Sequence, residues 1–299
     1  GLMGLADVLK NGHPVVLAEC TPPRGTDAAS LKSCAEALAK SVDAICAPES
    51  EDGPRLSSLA ACSHLMAAGV EPVLHLLTRD LNRIALQSAL LGAASMGIRN
   101  VLCLSGRHQA LTTSASARGV YDVDQVQLLR LANSIRKDGV LADGQSMDSP
   151  VELVLGTDTN PFSDPIELQV IALEKAVRSG ADFVITYPVF NLDRFNVWMT
   201  HVRERGLHEK TAVIAGVMPV TSARQAVLLA EKYSHLDIGD DVAQRLDSAQ
   251  DKREAGVHLA AETIAYVRKV PGVRGVCIST GEDYRLAADV IAAAGLARE

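Results

Sequence analysis

The sequence predicts an α/β protein built as a single (β/α)8 TIM barrel, and three observations carry that expectation. Eight short apolar runs alternate with helix-period segments along the 299 residues. Gly69, Gly97, Gly180 and Gly206 close amphipathic stretches, as expected of the residue just past a helix end. Hydrophobic content is 47% but aromatic content only 3%, so the core must be assembled from Ala, Val, Leu and Ile, which suits strands wrapped by helices. Short apolar strands joined by helices are parallel βαβ units, and eight such units close into one barrel. The chain is longer than most single cores, but barrels of roughly 250 residues are the common exception. Residues 1–299 are therefore read as one domain.

The first run, Val15-Val16-Leu17-Ala18-Glu19-Cys20, ends on a carboxylate and is stopped by Pro22 and Pro23; proline fixes φ and cannot donate to a ladder. The other runs cover 43–47, 72–77, 100–104, 152–156, 183–187, 212–217 and 273–278. Helical periodicity fills 27–40, 55–68, 82–96, 122–137, 165–179, 193–205, 222–233 and 283–294. Asp80 reads as an N-cap, with Arg79 and Arg83 placed to fix neighbouring loops. Two stretches break the rhythm. A polar loop at 107–121 follows the fourth strand and reads as a lid, and 236–253 is an insertion before the eighth strand. Asp237, Asp240, Asp241, Asp247 and Asp251 of the insertion are expected to be solvated.

Composition excludes several classes. A net charge of −7 without a basic block argues against nucleic acid. No apolar run approaches the roughly 18 residues of a membrane span, and the N-terminus lacks an export pattern. Gly1-Leu2 reads as an extraneous extension before a start at Met3. Six scattered cysteines form no C-x-x-C pair, which points to a reduced, cytoplasmic protein without a cysteine metal site.

Residues at the carboxyl ends of the strands should share one mouth, where barrels keep their chemistry. They include Glu19, Pro48, His75, Ser105, Gly106, Arg107, Thr157, Asp158, Asn160, Tyr187 and Met218. An acid, an imidazole, a guanidinium, a phenol and several hydroxyls around one cavity suit a polar heterocycle beside a proton-donating carboxyl group. Each also has a purely structural reading: Glu19 paired with Arg24, His75 bonded to backbone in the core, Arg107 paired with Asp122 or Asp124, and Asp158-Thr159-Asn160-Pro161 as a turn. No G-x-S-x-G, H-E-x-x-H or Walker loop is present.

Taken in order, these segments resemble the methylenetetrahydrofolate reductase family. Glu19-Cys20-Thr21-Pro22-Pro23-Arg24 and Thr78-Arg79-Asp80-Leu81-Asn82-Arg83 carry the resemblance, followed by Gly97-Ile98-Arg99-Asn100-Val101, Asn160-Pro161-Phe162 and Gly180-Ala181-Asp182-Phe183. The resemblance implies an oxidoreductase of one-carbon metabolism, a flavoprotein barrel that reduces 5,10-methylenetetrahydrofolate to 5-methyltetrahydrofolate. It implies FAD or FMN as cofactor, with NADH or NADPH as hydride source. It makes Glu19 the general acid at the folate's N10. Pro48, His75, Ser105, Gly106, Arg107, Thr157 and Lys175 would bind the cofactor; Glu19, Asn160, Tyr187 and Met218 would bind the substrate. Several family positions differ: an aspartate is Arg107, an arginine is Ser105, a pterin-holding glutamine is Tyr187, and a folate-packing phenylalanine is Ala223. Of the fifth helix's flavin-binding positions, Ala172, Lys175 and Ala176, only Lys175 keeps a charge. Other readings follow from these departures. One is a flavin-independent NAD(P)H-dependent reductase of the same folate. Another is a pterin-binding methyltransferase in which Asp158 and Asn160 grip the ring, and a third is a non-catalytic folate-binding subunit. A homo-oligomer or a partner subunit is compatible with each.

Overall fold

A computed structural model describes residues 4–233 and 235–299; the expected start at Met3 lies outside the described residues. The strands β1 (Val15–Glu19), β2 (Ala44–Ala47), β3 (Pro72–Leu77), β4 (Asn100–Leu104), β5 (Val154–Thr159), β6 (Phe183–Pro188), β7 (Ala212–Val217) and β8 (Val273–Ser279) run in chain order round a closed parallel barrel. The expected fold class is the observed one. Helices α2 (Ala29–Leu38), α3 (Ser58–Ala67), α4 (Arg83–Ser95), α5 (Gln125–Asp138), α6 (Ile166–Arg178) and α7 (Leu192–Glu204) lie between successive strands. After β7 come α8 (Ala223–Lys232), α9 (Asp240–Ser248) and α10 (Lys252–Val267), and α11 (Tyr284–Ala293) follows β8.

Strand alternation divides the apolar residues into two cores. Val15, Leu17, Cys46, Val73, Leu77, Leu102, Phe183, Ile214 and Cys277 fill the barrel, and Leu5 and Val8 of an N-terminal helix, α1 (Leu5–Lys10), plug its lower end. Val16, Ala18, Leu74, Val101, Leu155 and Val213 face outward to the helices. All six cysteines are free and buried and pack as small hydrophobes. The closing seam needs a glycine. Gly275 pairs with Val15, and a Cβ there would stand 1.9 Å from the Val15 carbonyl oxygen.

Two local expectations change. β5 begins at Val154 and runs to Thr159, which brings Thr157 and Asp158 into the strand instead of the loop beyond it. The cap of α4 is Asn82, whose side chain accepts from the Ala85 amide at 3.1 Å. Asp80 is unavailable for that task because Arg79 holds its carboxylate at 2.7 Å. The insertion at 236–253 contains α9 and the start of α10, and Leu246 packs with Val220 and Ala226 in a small third core. Its five aspartates are exposed as expected.

Candidate active site

The rim of the mouth is organised by one buried cation. Arg79 is only 4% exposed. Its guanidinium donates to the carbonyls of Ser50 (2.7 Å), Glu51 (3.1 Å) and Arg107 (2.9 Å) and to both oxygens of Asp80. It thereby ties together the connections after β2, β3 and β4. Arg107 pairs with Asp52 at 2.9 Å, not with the expected Asp122 or Asp124. Asp122 is taken by Arg83 at 2.8 Å, and Asp124 caps α5. The loop at 107–121 is likewise pinned. Thr113 donates twice to the Asp52 carbonyl, at 3.0 and 2.8 Å, and the amides of Val120 and Tyr121 donate to the Arg79 and Thr78 carbonyls. These bonds make it a fixed wall of the mouth, not the free lid its composition had suggested.

Glu19 closes β1 with its carboxyl group drawn into the protein. Burial pushes its pKa up, opposed by a hydrogen bond with Ser279 at the end of β8. Glu19 and Ser279 are register partners across the seam. Among the described residues no arginine pairs with Glu19, so the expected partnership with Arg24 is absent. A raised carboxyl pKa is what a proton donor working near neutral pH needs. Tyr233, just past α8, lies over the same mouth. Its pKa is pushed up to about 12, mainly by burial, with fields from Glu51, Arg107 and Glu19 also acting on it.

His75 is 2% exposed and stands on the inward face of β3 between Val73 and Leu77. Neither ring nitrogen has a hydrogen-bond partner, so the bond to backbone expected for a core imidazole is not made. Its main-chain amide donates to Ser58 Oγ at 3.0 Å. Burial lowers its pKa to about 3, so the folded protein keeps the ring neutral. The unfolded chain binds a proton below about pH 6.5. Stability is therefore expected to fall on acidification between about pH 6.5 and pH 3, by up to about 1.4 kcal/mol per pH unit. Thermal melts of the wild type and of His75→Leu across this range check it: the variant should lose less stability with falling pH. Equal slopes would show that the imidazole is not held neutral.

On the far side, Gln125 at the start of α5 bridges three elements. It accepts from Ser105 Oγ at 3.2 Å and donates to Thr157 Oγ1 and to Asp158 Oδ1, the latter at 2.7 Å. Thr157 is 1% exposed and donates its own hydroxyl to the Cys103 carbonyl at 2.8 Å, so it braces β5 against β4. Burial raises the pKa of Asp158, and the nearby Asp158 charge is the main reason the Tyr187 pKa is raised. A register shift between Ile185 and Pro188 lets Tyr187 lean against the helix-side core. Tyr187, Asp158, Asn160, Gln125 and Gln169 line a cavity of about 190 Å³ with Ala172 and Ala176. Asn160 is occupied in its own turn, bonding Ser163 at 2.7 Å and the Phe162 amide at 3.0 Å. Pro48 is buried at the end of β2, and Gly106 and Met218 are half-buried at the ends of β4 and β7. Glu19, Arg107, Tyr187 and Tyr233 are thus grouped at one mouth. Gln125, Tyr233 and Ser279 were not singled out from sequence. Only Ser279, at the end of a predicted strand, carried a signal there.

The residues present do not fit a flavin dinucleotide along α6. The cavity is smaller than the roughly 300–1,000 Å³ usual for such ligands, and no cation is among the residues lining it. Lys175 is exposed and outside that lining, Arg107 is engaged by Asp52, and Asp158 adds a carboxyl group where a diphosphate would need the opposite charge. Among the described residues, no group of three or more His, Cys, Asp or Glu is arranged to hold a metal ion. No described helix is long and apolar enough to cross a membrane.

Fold and site define a (β/α)8 barrel protein with a half-buried acid at its C-terminal mouth. The chain belongs to the methylenetetrahydrofolate reductase family, whose profile matches residues 5–295. It is 24% identical over 226 residues to methylenetetrahydrofolate reductase 2 of Saccharomyces cerevisiae, covering 70% of this chain and 34% of that protein. It is 27% identical over 202 residues to methylenetetrahydrofolate reductase 1 of Schizosaccharomyces pombe, covering 64% and 30%. The chain thus spans about a third of the length of these curated relatives. Among solved structures it is similar to an uncharacterized protein from Clostridium thermocellum that binds two copies of 5-methyl-5,6,7,8-tetrahydrofolic acid. That match has a TM-score of 0.67 and 11% identity over 98% of each chain, and at that identity it speaks for the fold alone.

Proposed function

We propose that this barrel is an oxidoreductase that reduces 5,10-methylenetetrahydrofolate to 5-methyltetrahydrofolate, with Glu19 as its general acid. The half-buried Glu19 carboxyl group at the mouth, bonded to Ser279, carries the reading, and family membership supplies the reaction. Protonated Glu19 gives its proton to N10. The bond between N10 and the methylene carbon breaks, and the carbon remains attached to N5 as an iminium. Hydride then adds to that carbon, and the donor is oxidised by two electrons. Ser279 orients the carboxyl group, and the enclosing protein keeps it protonated closer to neutral pH than a solvated glutamate would be.

At the flavin-contact positions of α6 that the resemblance implies, Ala172 and Ala176 carry no polar side chain and Lys175 is exposed, so we take a nicotinamide cofactor, bound outside this cavity, as the direct hydride donor in place of FAD or FMN. The test is formation of 5-methyltetrahydrofolate by protein stripped of flavin, with NADH or NADPH supplied. Turnover is expected without flavin and should not rise when FAD or FMN is added. Turnover that requires added flavin would overturn direct transfer. No reduction with any of these donors would overturn the reductase reading itself.

A further inference from the structure

The foot of the barrel, at the end away from the mouth, holds a cavity of about 200 Å³ where the chain enters β1 and β8. Gly12, Pro14, Val276 and Leu296 contribute to its walls. Two arginines line it as well, Arg268 just past α10 and Arg274 near the start of β8, and no acidic residue does among the described residues. The chain has 36 acidic residues against 29 lysines and arginines, so a recess lined by two cations and no acid stands out from the rest of the surface.

Arg274 is half-buried. Its Nη2 donates to the carbonyls of Val8 (3.3 Å), Leu9 (3.2 Å) and His13 (3.2 Å), so it caps the last turn of α1. Three acceptors on one nitrogen leave the rest of the fork idle. Nε is buried without a partner, and no carboxylate pairs with the group among the described residues. Arg79, Arg245 and Arg253 each bond a carboxylate that raises their pKa, whereas burial alone acts on Arg274 and lowers it. A cation drawn out of water without a counter-charge is costly. Arg268 is exposed, and its guanidinium makes no hydrogen bond or ion pair among the described residues.

Charge and size then define the ligand. Two guanidiniums are neutralised by one dianion, and the planar fork of arginine matches a phosphate bidentately. A carboxylate would leave one charge over. The volume is the share of roughly six or seven water molecules, enough for a phosphate group and too little for a whole dinucleotide.

We propose that the foot of the barrel binds a phosphate group between Arg268 and Arg274. The bound group ties together the end of α1, the start of β8 and the end of α10. It sits at the opposite end of β8 from Ser279, so its occupancy acts on stability and not on the acid at the mouth. A ligand that binds only the folded chain stabilises it by mass action.

Calorimetric titration with inorganic phosphate, at an ionic strength matched with sodium chloride, tests the site. Binding should saturate at one phosphate per chain. Phosphate at about ten times its Kd should raise Tm by roughly 2–4 °C. Arg274→Ala would also uncap α1, so Arg268→Gln is the informative variant. It should melt like wild type without phosphate and bind phosphate about 10- to 100-fold more weakly, the loss expected for a charged hydrogen bond. Arg274→Lys keeps a cation beside α1 but lacks the fork, and should weaken phosphate binding by at least about tenfold. No saturable binding, or a Tm rise that Arg268→Gln retains in full, would overturn the proposal and leave Arg274 as a helix cap alone. Methyl phosphate and AMP then identify the source. Binding as tight as that of inorganic phosphate, and weakened in Arg268→Gln, assigns the site to a phosphorylated metabolite; weaker binding of both assigns it to the free ion.

Discussion

Replacing Glu19 by glutamine is expected to lower turnover of the methylene substrate by about 10²- to 10⁴-fold, the usual contribution of a positioned general acid, while binding of 5-methyltetrahydrofolate changes little. Glutamine is nearly isosteric and retains a hydrogen bond to Ser279, but it has no proton to give to N10. The pH profile supplies an independent reading. Burial raises the Glu19 pKa, and the acid acts in its protonated form. Wild-type turnover should therefore fall as pH rises through that raised value, and the same limb should vanish from the residual activity of Glu19→Gln. Measuring both profiles separates proton donation from simple packing. A variant that keeps wild-type turnover would show that some other group supplies the proton.

Arg79→Ala is expected to be the most damaging change outside the catalytic acid. It would strip partners from the carbonyls of Ser50, Glu51 and Arg107 and release Asp80. Each polar group left unpaired in a buried setting costs about 1–3 kcal/mol. A total of about 3 kcal/mol corresponds to a fall in Tm of roughly 6–12 °C for a protein near this size. Differential scanning calorimetry checks the value. Arg83→Ala is the control: its guanidinium also pairs with an aspartate, Asp122, but at the exposed surface. There an ion pair contributes little. Equal melting temperatures for the two variants would show that the Arg79 clasp does not hold the rim together.

The barrel was legible because its signals are local and repeated. Apolar runs of β-branched and small residues, each followed by a helix ending at glycine, needed no knowledge of distant contacts. Where the reading slipped, a tertiary partner decided. Asp80 is a good cap in isolation, yet Arg79 claims it and Asn82 takes the cap. The stretch before β8 reads as polar because α9 shows solvent most of its surface and buries little beyond Leu246. The site was legible only in part. Glu19, Arg107 and Tyr187 were found because strand ends converge in a barrel. The pairing of Arg107 with Asp52 joins residues 55 positions apart and leaves no trace in spacing. Ser279, Gln125 and Tyr233 are ordinary residue types in unremarkable local sequence, made significant by closure of the ring.

The Arg79 clasp has a mechanical consequence. By joining the connections after β2, β3 and β4, it makes that side of the rim a rigid jamb. Across the mouth, the segment beyond β7 rests on the small core of Val220, Ala226 and Leu246, which Phe190 and Ile238 join to the main helix-side core. The jamb is the side of the rim that the acid on β1 adjoins, so the wall nearest Glu19 is the one held fast.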